Sequence, residues 1–91
     1  MSELHGNPES IRSFSVIMAE FCQMARDGLA RIVAHERELG ASEWTDENFK
    51  RFDEQFEPVV AALLRNVEQL ESELGPHVRQ MAERYDELLH G

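Results

Sequence analysis

Apolar and small residues recur along the first half of the chain at Ile11, Phe14, Met18, Phe21, Ala25, Gly28, Ile32, His35 and Leu39. The steps alternate between three and four, a heptad seam that predicts a long amphipathic helix packed nearly parallel to a neighbour. Its start is marked by Asn7 as N-cap, Pro8 in the first helical position and Glu9 in the positively polarised first turn. Its end is marked by Gly40, suited to the left-handed residue that closes many helices. The predicted helix covers 8–39 and is about 48 Å long at 1.5 Å per residue. Ile17, Cys22, Met24, Leu29 and Val33 widen the stripe, so this helix is expected to face more than one neighbour. Ala25 and Gly28 are its small members. Gly28 costs roughly 1 kcal/mol against alanine inside a helix; it is either tolerated there or marks the close approach of another backbone.

A second series follows a turn over 40–45: Phe49, Phe52, Phe56, Val60, Leu63, Val67, Leu70 and Leu74. It predicts a helix over 46–74, capped by Thr45 or Asp46 and kinked or re-started at Pro58, which removes a backbone donor and crowds the carbonyl of Glu54. Gly75-Pro76 predicts a bend, because the residue before a proline is pushed from helical angles. The seam slips by one residue there and continues through Val78, Met81, Tyr85 and Leu88. The expected architecture is all-α: a single domain over 1–91, loose over 1–7, with two helices in an antiparallel hairpin. A short terminal helix over 77–89 is expected to project past it.

Composition narrows the functional classes. Eighteen Asp and Glu against nine Lys and Arg give a net charge of −9, which argues against nucleic acid or an anionic membrane as partner. No apolar run is long enough for a signal core or a membrane span; a cytoplasmic protein is expected, with export that needs no cleaved signal left open. The single Cys22 sits among apolar residues, where a buried, reduced thiol is expected. The four histidines show no metal-ligand spacing, and no Glu-x-x-His pair of the di-iron bundle kind occurs. His35, on the seam, is read as a core or interface residue. No phosphate-binding loop, nucleophile motif or cysteine pair is present, so neither a cofactor nor an enzymatic activity is expected.

The stretch Leu39–Phe56, around the turn, carries the only Trp and three of the five Phe residues. Trp44, Phe49, Phe52 and Phe56 either plug the end of the hairpin as core or also present a recognition surface. The spacing Trp44, Asp46, Asn48, Phe52, Phe56 resembles the WXG superfamily, the early-secreted-antigen-like helical hairpins of bacterial type VII secretion. Their pattern is Trp-x-Gly-x-Ala-x-x-x-Phe, often with an aromatic four residues further on. Trp44, Phe52 and Phe56 match, while Asp46 and Asn48 replace the glycine and the alanine.

The resemblance implies a non-enzymatic protein that pairs with itself or a similar hairpin into a four-helix bundle. Its role would be that of a small secreted factor or an escort of a larger secreted effector. The dimer face would then be the wide stripe of the first helix, through Phe14, Ile17, Met18, Phe21, Met24, Ala25, Gly28 and Ile32. The family's export tag, Tyr followed four residues later by an acid, has a remnant in Tyr85 with Asp86 and Glu87, although Leu89 holds the fourth position. The alternative is a cytoplasmic helical adaptor or chaperone-like binding module unrelated to secretion. An acidic inhibitor that mimics DNA is a third reading.

Overall fold

The computed structural model describes residues 5–90, and every regular element among them is helical. Three α-helices, α1 (Pro8–Glu38), α2 (Glu47–Gln69) and α3 (Gly75–His90), are separated by two five-residue π-helical turns, Leu39–Glu43 and Leu70–Leu74. Of the segment expected to be loose, 1–4 lie outside the described residues, and 5–7 precede α1 without regular structure. The chain divides into two compact units, Gln23–Val67 and Met1–Cys22 with Glu68–Gly91.

In the first of these units the later part of α1 and most of α2 form a hairpin. The intended caps are largely in place. At the start of α2, Asp46 Oδ1 accepts from the N–H groups of Asn48 and Phe49 at 3.0 and 3.2 Å. Asp46 thus satisfies two of the orphan donors of a helix start, which gives a physical reason for an acid at that position. α2 then runs through Pro58 without the expected re-start. Pro58 is exposed, so a carbonyl freed by the missing N–H faces water and the break is not enforced.

Gly40 departs from expectation. No glycine among the described residues has a positive φ, and Gly40 lies inside the right-handed π-turn. Its role is steric instead: a Cβ added there would overlap the ring of Phe49, which rests on the bare backbone. The N–H of Trp44 reaches back to the carbonyl of Leu39 at 2.7 Å, a five-residue span. Trp44 itself then leaves the helical region with φ −138° and ψ 89°.

In the other unit the first half of α1 lies with α3. Asn7 caps α1 as expected, its Oδ1 accepting from the N–H groups of Glu9 and Ser10 at 3.0 and 3.2 Å. Gly75-Pro76 does not bend the chain out of the helix, contrary to expectation. Gly75 is α-helical, with φ −58° and ψ −54°, and its N–H bonds to Leu70 O. The strain that a residue before proline suffers in a helix arises largely at its Cβ, and Gly75 has none. A π-turn takes one more residue than an α-turn, which is the one-residue slip of the seam at Leu74–Val78.

α3 does not project free, as expected for 77–89. Arg12 donates to Asp86 at 3.1 Å, and a Cβ added at Gly6 would stand 2.9 Å from the ring of Tyr85. Cys22 and Ala82 are almost wholly buried. Cys22 forms no disulfide.

Candidate interaction surface

α1 presents two apolar faces, and the seam read from the sequence takes residues from both, Ile11, Met18 and Ala25 from the packed side and Phe14, Phe21 and Ile32 from the exposed one. The face turned inward carries Ile11, Ser15, Met18, Cys22, Ala25, Leu29, Val33 and Glu36, all buried or half-buried. At 100° per residue, a second face lies about a quarter of a turn away, with Phe14, Ile17, Phe21, Met24, Ile32 and Leu39 exposed. Of the residues expected at a dimer face, Met18 and Ala25 therefore belong to the inward side. Phe14, Ile17, Phe21, Met24 and Ile32 are open. Gly28 is open too, because nothing lies within 4 Å of a Cβ placed there; no backbone of this chain approaches it. His35 is exposed rather than part of the core.

Two buried polar residues, Ser15 and Glu36, were not legible from the periodicity. Ser15 donates its hydroxyl proton to the carbonyl of Arg12 at 2.8 Å, so its burial is satisfied locally. Glu36 is 7% exposed. A side-chain hydrogen bond shared with Asp53 raises its pKa above the ordinary carboxylate value, with burial and the negative charges of Asp53 and Glu57 adding and Arg37 opposing. Protonated, Glu36 can donate to the Asp53 carboxylate across the two helices of the hairpin. An acid one helical turn from Val33 and opposite another acid was the available signal.

Beside this pair the exposed stripe of α1 opens into a groove of roughly 560 Å³. Gly28, Ile32, His35 and Leu39 form one wall; Trp44, Phe52 and Phe56 form the other. The aromatic rings are arrayed in sequence. Trp44 meets Phe49 edge-on at 5.4 Å and lies tilted against Phe52 at 5.8 Å, and Phe52 stacks on Phe56 at 5.3 Å. Phe52 is exposed, while Trp44, Phe49 and Phe56 are half-buried. The aromatic set is thus neither a closed plug nor a free surface; it is the wall of a groove. Phe49, absent from the family pattern, is the ring that seats the turn on Gly40.

The groove suits capture of apolar side chains by burial, a directionless interaction scaling with area. Among the described residues no group of three or more His, Cys, Asp or Glu is placed to hold a metal ion. Nor is any described helix long and apolar enough to cross a membrane. Of the residues that the resemblance offers as an export-tag remnant, Tyr85 packs against Gly6, Asp86 is held by Arg12, and Glu87 is exposed. No protein-family model, curated protein or solved structure matches the chain.

Proposed function

We propose that the chain acts without catalysis, as a WXG-like helical hairpin that pairs with a second hairpin, its own copy or a similar one, to form a four-helix bundle. In that form it serves as a small exported factor or escorts a larger secreted effector. The observation that carries this reading is the unpartnered apolar face of α1, where Phe14, Ile17, Phe21, Met24 and Ile32 are each more than half exposed. A contiguous run of that kind on a soluble chain marks an interaction site. The three aromatics Trp44, Phe52 and Phe56 in the family's spacing support the choice of family.

Sedimentation at micromolar concentration tests the pairing: a dimer is expected, and a folded monomer would remove the homodimer and leave a heteromeric partner. Appearance of the chain in the medium of cells with, but not without, the type VII secretion ATPase tests export. A second reading, a cytoplasmic adaptor or chaperone-like module, is favoured by the export-tag remnant, because Leu89 replaces the acid and Asp86 is engaged by Arg12. Retention of the chain in cells with an intact secretion apparatus would decide for it.

A further inference from the structure

The groove of the hairpin unit has a polar edge beside its apolar lining. Arg31 and His35 stand on its α1 wall, one helical turn apart and so on one face of the helix. Both are exposed, and among the described residues neither has an ion pair or a side-chain hydrogen bond. The one acid on the lining, Glu36, is buried and directs its hydrogen bond to Asp53. We propose that this groove is a binding site for a small amphipathic carboxylate, a fatty-acid anion. Its acyl chain lies against Ile32, Phe52 and Phe56, and its carboxylate is met by Arg31 and His35. The site lies wholly within the unit Gln23–Val67 and needs no second chain.

The lining selects a linear apolar body. Trp44, Phe52 and Phe56 follow one another along one wall, and Ile32 and Leu39 stand on the other. From Gly28 to Leu39 the α1 wall runs about 16 Å at 1.5 Å per residue, so the trough follows the helix axis. Its volume of roughly 560 Å³ falls in the range of small-ligand sites. Burial holds such a ligand along its length, and charge fixes its head.

Charge complementarity sets the sign of that head. Eighteen acids against nine Lys and Arg mean that capture of an anion needs a local cation, and the groove edge supplies one. The net charge of −9 repels anions at long range, but that field is screened beyond about 8 Å at physiological salt. Arg31 acts at contact, where its planar fork pairs with both carboxylate oxygens. A neutral head would forgo that pair, and a cationic head would meet like charge.

Trp44 is the only Trp of the chain and forms part of the wall, so its fluorescence reports occupancy. Decanoate titrated into the full chain is expected to shift Trp44 emission to the blue and to saturate. Octanoate should bind about tenfold more weakly for the two methylenes it lacks. Arg31→Gln is expected to weaken decanoate by about tenfold or more and to erase its advantage over decanol. Gly28→Leu, whose added side chain enters open space and favours the helix, is expected to weaken both ligands. A wild type with no saturable response to decanoate would overturn the proposal. So would a decanoate affinity that decanol equals or that Arg31→Gln does not lower. A response to an acidic, leucine-rich peptide with none to decanoate would overturn it in favour of a protein partner.

Discussion

The two π-turns share a hydrogen-bonding device and differ in outcome. In each, the residue after the turn sends its N–H back to the carbonyl of the turn's first residue, Trp44 to Leu39 and Gly75 to Leu70. Each also carries a serine bonded to a carbonyl four residues back, Ser42 to Glu38 at 3.5 Å and Ser72 to Glu68 at 2.7 Å. Yet the chain leaves the helix at Trp44 and stays helical at Gly75. The difference lies downstream. After the first turn Trp44 enters the aromatic array, and Asp46 caps a new helix. After the second, Pro76 has a ring that holds φ near the helical value, and Gly75 lacks the Cβ that would object. A π-turn alone therefore neither ends a helix nor preserves it; the side chains beyond it do.

That contrast can be broken most forcefully at Gly40. Gly40→Val drives a side chain into the Phe49 ring and is expected to cost about 3 kcal/mol. An unchanged melting temperature would show that the turn does not depend on this contact. Gly75→Ala is the matching probe of the second turn. Its Cβ would stand 3.2 Å from Leu70 O, and it would precede a proline, so a loss of about 1–2 kcal/mol is expected. A gain, as helix propensity alone would give, would show the second turn to be relaxed.

The ties between helices sharpen the comparison further. Glu36 has a raised pKa in the folded chain, so folding favours its protonated form. The stability it contributes is fully present below its unfolded value and is lost as pH rises through the folded one. Glu36→Gln, which cannot ionise, should therefore melt higher than wild type at neutral pH, with the advantage shrinking as pH falls below the ordinary carboxylate value. A constant difference across that range would remove the shared proton. The smallest effect is expected from the counterpart tie, Arg12–Asp86, whose side chains are nearly half exposed. Arg12→Ala should cost about 0.5 kcal/mol or less and fade with salt; a loss several times larger would make this pair a principal support of its unit.

Helix starts were readable because a cap is a local bargain between one side chain and the next few N–H groups; Asn7 and Asp46 needed no distant partner. The hairpin turn was legible from Gly40, but its cause was not. A left-handed glycine and a glycine under an aromatic ring look alike until Phe49 is placed. Gly75-Pro76 misled for a related reason, since the two residues that usually stop a helix can also relieve each other inside a π-turn. The exposed face of α1 could not be told from the buried one, because both are apolar at helical spacing; only Ser15 and Glu36 mark the inward side, and they are polar. The groove was foreshadowed by Trp44, Phe52 and Phe56, but Gly28 became meaningful only once the space above it was known.

The slip of the apolar series at Leu74–Val78 and the π-turn at Leu70–Leu74 are one event seen twice. The surplus residue in the turn lets Val78, Met81 and Tyr85 follow on from Leu63, Val67 and Leu70 despite the shift in count. Length variation is consequently not equivalent along this arm. Loss of one residue within 70–74 would dissolve the π-turn into plain α-helix and keep the apolar positions of α3 in phase. Loss of one residue earlier in α2 would swing everything after it by about 100° and take Arg12's partner, Asp86, to another side.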